Sequence, residues 1–447
     1  MGEFNQPGIH VISHDPEALA KLWAELAREL DTRDGRLADR WQVLDKQQER
    51  LGEILSHALT GSPYYKKVAT HLGVVPYRGL SNFERLPLLT RSVYSANVEE
   101  MKVTVPERGY LDRTSGTSGR PIDVFRDSRS LFFESLRFRH LLRYYLDDAI
   151  PLGKGLIAVL YVSHYTTSSE HLYEDPLLEQ SIIVKLRCDT GSVCDRLADM
   201  GLRLEDGSYV LTGSVSSLIQ FANNVADRRD FPDPAAILPS GETLLPSARI
   251  FLAEVFRAPV FELYAMREFG TVAFQCRCSE ALHIQADWFL AEVTNSDGKA
   301  VQAGACGELV ISDLSNHHVP MLRYATGDSA SLEWKKCACG LCLPNLTGFT
   351  GRKSVYFARR DGTLIDTADF AKRLERLPLI WYRATQAVDN TVDFDFATNE
   401  NALEGIGEFC KDLEQVLELP APVCVRQLPL ENAVQDKSGG FISRRSW

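Results

Sequence analysis

A loop of small residues at 114–119 carries the clearest chemical signal in this chain. The loop consists of Thr114, Ser115, Gly116, Thr117, Ser118 and Gly119, and Arg120 follows it. Backbone N–H groups in such a loop can fold inward around an anion, while hydroxyl groups add donors and glycine permits a close approach. It is not a Walker loop, because neither a lysine nor a helix pattern follows the glycines. We predict a phosphate-binding loop; the same composition also fits a flexible surface hairpin.

The surrounding pattern predicts an α/β protein. Apolar residues have helical spacing at 37–60 and 130–149. From residue 155 onward strands alternate with helices, which favours a largely parallel sheet, and residues 286–334 are rich in strand patterns. We expect a large N-terminal domain at 1–350, with parallel sheets and a β-rich subdomain, and a small mobile α+β domain at 351–447.

The composition excludes several classes of partner. The net charge of −11 provides no basic footprint for nucleic acid or for an anionic membrane. The longest apolar runs, such as 155–162, are too short to cross a bilayer, and the first residues lack the pattern of a secretory signal. We therefore expect a cytoplasmic protein with small-molecule partners, and the composition leaves a homodimer open.

Six segments, met in order along the chain, resemble motifs of the adenylate-forming superfamily. The loop TSGTSGRP at 114–121 is similar to its phosphate loop, [ST]-S-G-[ST]-[ST]-G-x-P. The others are GETL at 241–244, YAMREFG at 264–270, VPMLRYATGD at 319–328, GRKS at 351–354 and, loosely, DKSGGFISRR at 436–445. The opening helix pattern QQERLGEILSHALTGSPYYKKV at 47–68 resembles the phenylacetate–CoA ligase branch. The resemblance covers residues 46–447.

This resemblance implies nucleotide-binding roles for individual residues. The loop at 114–119, together with Arg120, would wrap the β- and γ-phosphates of ATP. Glu268 would hold Mg²⁺, Asp328 would accept both ribose hydroxyls, and Tyr264 would border the adenine. Catalysis of this kind consists mostly of positioning and electrostatic stabilisation.

Four further residues receive roles from the shorter motifs. Gly241 and Glu242 belong to the nucleotide-pocket motif, and Arg352 would contact the ribose at the hinge. Lys437 would reach the α-phosphate and the substrate carboxylate, which makes it, with Glu268 and Arg267, a predicted catalytic residue. The alternative for Lys437 is a solvated charge near the C-terminus.

The chain departs from the family pattern at several positions. Arg120 replaces a lysine, Ala265 replaces a glycine, and Arg267 replaces the Thr or Ser that meets the α-phosphate. An arginine at 267 would either clamp phosphate more strongly or mark altered chemistry. The segment at 355–366 lacks the R-G-x-x-x-x-P pattern of the thioester-forming conformation. Adenylation is therefore better supported than transfer to CoA.

The resemblance implies an ATP-dependent ligase that activates a carboxylic acid as an acyl-adenylate, releases pyrophosphate and transfers the acyl group to CoA. An aromatic acid fits a pocket that would be lined by Tyr161, His164, Tyr165, Ala265 and Met266. An amide-forming ligase with an amine as acceptor and an enzyme that loads a carrier protein are alternatives that use the same intermediate. A non-catalytic nucleotide-binding homologue is a further alternative.

Two cysteine groups predict a structural zinc site. Clustered cysteines in a reducing compartment more often bind metal than form disulfides, and thiolates with an imidazole suit tetrahedral Zn²⁺. The pair C-x6-H at 276–283 and C-x-C-G at 337–340 resembles a pairing found in the phenylacetate–CoA ligase branch. It implies Cys276, His283, Cys337 and Cys339 as ligands. Cys278 and Cys342 are spare candidates, and free loop cysteines are the alternative.

Overall fold

The computed structural model describes residues 10–11, 39–73, 80–103, 109–113, 122–142, 158–163, 171–174, 182–187, 197–198, 203–226, 231–349, 355–399, 403–434 and 439–444. These residues form two compact units. The first combines Met1–Asp147 with Leu263–Phe349, and the second combines Asp148–Glu262 with Thr350–Trp447. The predicted mixed α/β class is confirmed. The predicted domain division at 350/351 stays a prediction.

The helices and strands have the following bounds. The helices are α1 (Arg40–Gly61), α2 (Pro63–Leu72), α3 (Arg91–Met101), α4 (Ser128–His140), α5 (Val215–Val225), α6 (Pro246–Phe256), α7 (Ala368–Leu374), α8 (Leu403–Leu417) and α9 (Leu430–Ala433), with a 3₁₀ helix at Leu80–Arg85. The strands are β1 (His10–Val11), β2 (Gly109–Arg113), β3 (Asp123–Asp127), β4 (Ala158–Ser163), β5 (His171–Glu174), β6 (Ile182–Arg187), β7 (Tyr209–Ser214), β8 (Ala236–Ser240), β9 (Leu263–Met266), β10 (Gly270–Cys276), β11 (Ser279–Ile284), β12 (Phe289–Thr294), β13 (Cys306–Asp313), β14 (Tyr324–Trp334), β15 (Pro344–Thr347), β16 (Tyr356–Ala358), β17 (Leu364–Asp366), β18 (Trp381–Gln386), β19 (Val392–Ala397), β20 (Cys424–Gln427) and β21 (Gly440–Ser443).

The first unit is built on antiparallel strands. Seven of them follow the order β12-β13-β14-β15-β11-β10-β9, and β1-β2-β3 form a separate sheet. Helix α1 lies against β12, α3 against β14, and α4 against β3 and β10. The β-rich character predicted for 286–334 is therefore borne out, and three helices hold the strands that carry the motif residues.

Local sequence signals explain where these helices begin and end. Asp39 caps α1 by accepting a hydrogen bond from the N–H of Trp41 at 2.9 Å. Ser62 ends α1 and caps α2, and Pro63 occupies the first turn, where its missing N–H costs nothing. The face that the sequence predicts as apolar in α1 is buried, at Leu51, Ile54, Leu55 and Ala58.

The second unit contains the parallel strands. Strands β8, β7, β4 and β6 are parallel in that order, and β5 adds an antiparallel edge. Helix α5 connects β7 to β8, as the alternating pattern predicts. In the same unit the sheet β20-β19-β18-β21 buries one face, which includes Phe394 and Phe396, under α8 residues such as Phe409 and Leu413. No helix in the described parts of either unit is long and apolar enough to cross a membrane.

Phe394 tests how much the second unit depends on the buried face of its smaller sheet. The side chain is 0% exposed, so Phe394→Ala should lower the free energy of unfolding by about 3–5 kcal/mol through lost burial and a residual cavity. Urea denaturation measures the change. The control Ile250→Ala, at a side chain that is 56% exposed, should change it by less than about 0.5 kcal/mol. Equal effects would contradict this assignment of the core.

Candidate functional site

Two residues from separate motifs meet in a hydrogen bond in the first unit. The Tyr264 hydroxyl, on β9, donates to Oδ2 of Asp328, on β14, at 2.6 Å. Both residues are buried. Burial and the nearby Asp328 charge raise the pKa of Tyr264, so its hydroxyl stays protonated and acts as the donor. The ring of Tyr264 packs edge-on against Phe349, with centroids 4.9 Å apart.

Glu268 lies in the three-residue turn between β9 and β10. Only 5% of its surface is exposed. Its Oε1 accepts a hydrogen bond from the Tyr324 hydroxyl at 2.9 Å and lies 3.6 Å from an Nη of Arg91. Burial and the Glu268 charge raise the pKa of Tyr324, which keeps this hydroxyl a donor. Among the described residues, no hydrogen bond reaches Oε2, so that oxygen has coordination capacity for a cation.

The Glu268 and Asp328 carboxylates act on a common neighbour. After burial, the charges of Asp328 and, to a smaller extent, Glu268 raise the pKa of Tyr264. Arg91, at the first turn of α3, supplies a positive charge next to Glu268 in this cluster of two carboxylates and two tyrosines. The sequence motifs identified both carboxylates but gave no role to Arg91 or to Tyr324. Tyr324 stands inside the motif at 319–328, and that position is the only signal that could have found it.

The remaining predicted residues of the 264–270 motif lie around this cluster. Ala265 and Met266 are half-buried on β9, next to Tyr264, and the Arg267 side chain is exposed. Gly270 has φ +70°, and a Cβ there would stand 2.5 Å from a carboxylate oxygen of Glu134. The turn therefore requires glycine at this position for both backbone conformation and space.

Glu242, in the second unit, is bound to a helix start. Its carboxylate accepts hydrogen bonds from the N–H of Ser216 at 2.7 Å and from the hydroxyl of Ser216 at 2.9 Å. A negative charge at the first turn of α5 also interacts favourably with the helix dipole. Gly241 forms the preceding turn with φ +74°. Tyr161 is half-buried on β4 in the same unit.

Several predicted site residues lie outside the described residues. They are Thr114, Ser115, Gly116, Thr117, Ser118, Gly119, Arg120, His164, Tyr165, Arg352 and Lys437. Their assigned roles stay predictions.

The structure brings the four predicted metal ligands together. Cys276 and His283 come from the β10–β11 hairpin, and Cys337 and Cys339 from the turn between β14 and β15. Their ligand atoms all lie within 4.8 Å of one another. The Sγ atoms of Cys276 and Cys337 are 3.6 Å apart, and Nε2 of His283 lies 3.6 Å from Sγ of Cys339.

These distances fit a tetrahedral zinc ion. Bonds of about 2.3 Å to sulfur and about 2.0 Å to nitrogen give edges of about 3.8 Å and about 3.5 Å. Burial lowers the pKa of His283 to about 4, so its imidazole is neutral and able to coordinate at neutral pH. Cys278 is exposed and Cys342 is half-buried, and neither is in the four-ligand group that the described residues form.

Comparison with known proteins bears on the fold. No family model matches the chain. A phenylacetate–coenzyme A ligase from Thermus thermophilus is 23% identical over 329 residues, covering 68% of this chain and 69% of that protein. A 2-hydroxyisobutyryl-CoA ligase, solved in the postadenylation state with R3-HIB-AMP, superposes with a TM-score of 0.66 at 17% identity, covering 89% and 88% of the two chains. The chain has the fold of the adenylate-forming ligases.

A second structure of the same ligase extends the comparison. With 2-HIB-AMP and CoA in the thioesterification state, it gives a TM-score of 0.56 at 16% identity and covers 91% of both chains. The resemblance of this chain to the phenylacetate–CoA ligase branch is thus confirmed. The residues that carried this resemblance, Tyr264, Glu268 and Asp328, are the ones that the fold gathers into the buried cluster.

The contribution of the Tyr264–Asp328 hydrogen bond to the free energy of unfolding should be measurable. Tyr264→Phe removes a donor to a buried carboxylate, which should lower the free energy of unfolding by about 1.5–3 kcal/mol. Tyr356→Phe, at a side chain that is 44% exposed, is the control and should change it by less than about 0.5 kcal/mol. Urea denaturation of both variants gives the comparison, and similar losses would show that the bond contributes nothing specific.

Proposed function

We propose that this chain is an AMP-forming acyl-CoA ligase. It joins a carboxylic acid to AMP with release of pyrophosphate, and then transfers the acyl group to the thiol of CoA. The observation that carries the proposal is the pair of buried carboxylates, Asp328 and Glu268, that accept hydrogen bonds from the hydroxyls of Tyr264 and Tyr324 respectively. Two relatives support it: the Thermus thermophilus protein is a phenylacetate–coenzyme A ligase, and the 2-hydroxyisobutyryl-CoA ligase was solved with 2-HIB-AMP and CoA.

The first step is a displacement at the α-phosphorus of ATP. An oxygen of the substrate carboxylate forms a bond to phosphorus, and the bond to the β-phosphate bridging oxygen breaks. Asp328 offers a charged acceptor for ribose hydroxyls. Glu268 would hold Mg²⁺, which neutralises triphosphate charge when bound. We assign the β- and γ-phosphates to the loop at 114–119 with Arg120, and the α-phosphate and substrate carboxylate to Lys437.

We propose an aromatic acid as the substrate. The Thermus thermophilus relative is a phenylacetate–coenzyme A ligase, which supports this class. Ala265 and Met266 would form one part of the pocket, since they follow Tyr264 directly on β9. Tyr161, His164 and Tyr165 would supply the flat aromatic surfaces that the sequence suggests.

An amine or a carrier protein is the alternative acceptor. It is favoured by the segment at 355–366, which lacks the pattern of the thioester-forming conformation and forms the β16–β17 hairpin. A cytoplasmic location and a homodimer stay predictions.

Acid-dependent exchange of pyrophosphate into ATP tests the first half-reaction. Without CoA, exchange should occur with aromatic acids and should exceed that with fatty or amino acids. Asp328→Asn should raise the ATP concentration for half-maximal exchange about 10–100-fold, because a hydrogen bond to a charged group contributes about 1.5–3 kcal/mol. Adding CoA, amines or a carrier protein then identifies the acceptor by product mass. Protein that binds ATP but shows no exchange with any acid would contradict the proposal.

We also propose that the Cys276–His283–Cys337–Cys339 group holds a structural zinc ion. Such a site is closed by four protein ligands and stabilises the turns that carry them. Here it would join the β10–β11 hairpin to the turn before β15. No acid or base is spaced with the ligands to suggest an activated water.

Zinc content of purified variants tests this site. The parent protein should contain about one zinc per chain, and Cys339→Ser should lose the metal and unfold at a lower temperature. Cys278→Ser is the matched control, because this thiol is a neighbour in sequence but not a member of the group. Elemental analysis and thermal unfolding give both readouts. Metal loss in the Cys278 variant alone would reassign the ligand set.

A further inference from the structure

Two arginines from outside the Glu268 turn hold its backbone. Arg126, on β3, donates from Nη2 to the carbonyl oxygen of Arg267. Arg137, on α4, donates from Nη2 to the carbonyl oxygen of Phe269 at 3.0 Å. These carbonyls belong to the residues immediately before and after Glu268. The two carbonyls lie in the peptide groups Arg267–Glu268 and Phe269–Gly270. Side chains of other elements therefore hold the turn immediately before Glu268 and one peptide group beyond it.

Arg126 is itself held in place by a charge partner. Its Nη1 forms an ion pair with Glu134 of α4, and its side chain is only 10% exposed. Glu134 also fills the space next to Gly270, where any Cβ would collide with its carboxylate. Gly270, at the end of the turn, thus lies directly against the Glu134 carboxylate that orients Arg126.

Arg137 is buried more deeply than Arg126, so its burial costs more free energy. It is 2% exposed, and its Nη1 donates to the Ser315 hydroxyl at 3.1 Å, which in turn donates to Asp313 at 2.6 Å. Burial lowers the pKa of Arg137, and the charges of Asp313 and Glu134 oppose that shift. Removing a charge from water costs several kcal/mol. Simple packing could be achieved by an apolar side chain without that cost.

We infer that Arg126 and Arg137 are positioning residues for Glu268. This inference rests on the proposed function, in which Glu268 holds Mg²⁺. Mg²⁺ demands nearly ideal octahedral geometry, so a small displacement of the carboxylate weakens its coordination. Partners that orient a metal ligand typically contribute about 10–100-fold in metal affinity or activity. The two arginines act only through the turn and need not touch ATP.

The test compares Arg126→Met with a matched variant of the other unit. Arg249, on α6, makes the same kind of contacts: Nη1 donates to the carbonyl of Val260 at 2.8 Å, and Nη2 pairs with Glu262 at 3.4 Å. Arg249→Met controls for the loss of a guanidinium with one carbonyl and one carboxylate partner, although this side chain is half-buried. Calorimetry with α,β-methylene-ATP, in Mg²⁺ and in EDTA, separates metal-dependent from metal-independent binding. The Mg²⁺ concentration for half-maximal pyrophosphate exchange is the second readout.

We expect Arg126→Met to raise that Mg²⁺ concentration by at least about ten-fold, with binding in EDTA unchanged. Arg126→Lys should restore part of the Mg²⁺ response, since its ammonium can still donate to the Arg267 carbonyl. Arg249→Met should leave the response unchanged. An Arg126→Met protein that loses stability or turnover with an unaltered Mg²⁺ response would overturn the inference.

Two further outcomes are distinct. If Arg137→Met folds, it should raise the Mg²⁺ concentration for half-maximal exchange in the same way. If it does not fold, the comparison of Arg126→Met with Arg126→Lys decides the inference. A parent protein without exchange activity would sink the proposed function. In that case the calorimetric Mg²⁺ dependence of nucleotide binding would still support or overturn the positioning of Glu268.

Discussion

The burial of two carboxylates is the constraint on which the first unit depends. Glu268 and Asp328 are each almost completely removed from water, and an ionised carboxylate pays heavily for that unless donors replace its hydration. The donors are two tyrosine hydroxyls, from Tyr264 and Tyr324. Because the same burial raises the pKa values of both phenols, the hydroxyls cannot ionise and compete with the carboxylates. Arg91 adds a positive charge next to Glu268.

The antiparallel strands explain how residues distant in sequence reach this cluster. Tyr264 lies on β9 and Glu268 lies in the turn that follows it, whereas Tyr324 and Asp328 come from a strand that begins about 60 residues later. Two of the four candidate zinc ligands, Cys276 and His283, lie on β10 and β11, and Cys276 ends the strand that begins after the Glu268 turn. A closed Cys/His site would restrain that end of β10. The acidic cluster and the cysteine group thus share strand β10.

The sequence predicted what depends on local pattern. The buried face of α1, the β-rich stretch at 286–334, the alternation in the second unit, and the four cysteine and histidine ligands follow from spacing or motif. Contacts that depend on tertiary packing were missed. Arg137 falls in a helix whose apolar spacing leaves charged residues for solvent, yet it is fully buried because Phe269 and Ser315 offer acceptors. No spacing rule reveals a backbone carbonyl of a distant turn as the partner of an arginine.

Arg126 and Arg137 contact main-chain atoms of the turn, which explains why the turn tolerates an unusual residue at 267. Arg126 and Arg137 bind carbonyl oxygens, which every amino acid supplies, so the place of Glu268 does not depend on the side chain that precedes it. The Arg267 side chain is exposed. In the proposed function, arginine in place of the Thr or Ser of the family motif would therefore change the charge near the nucleotide without disturbing the turn. A turn held through its backbone allows its side chains to diverge, whereas position 270, with φ +70°, favours glycine.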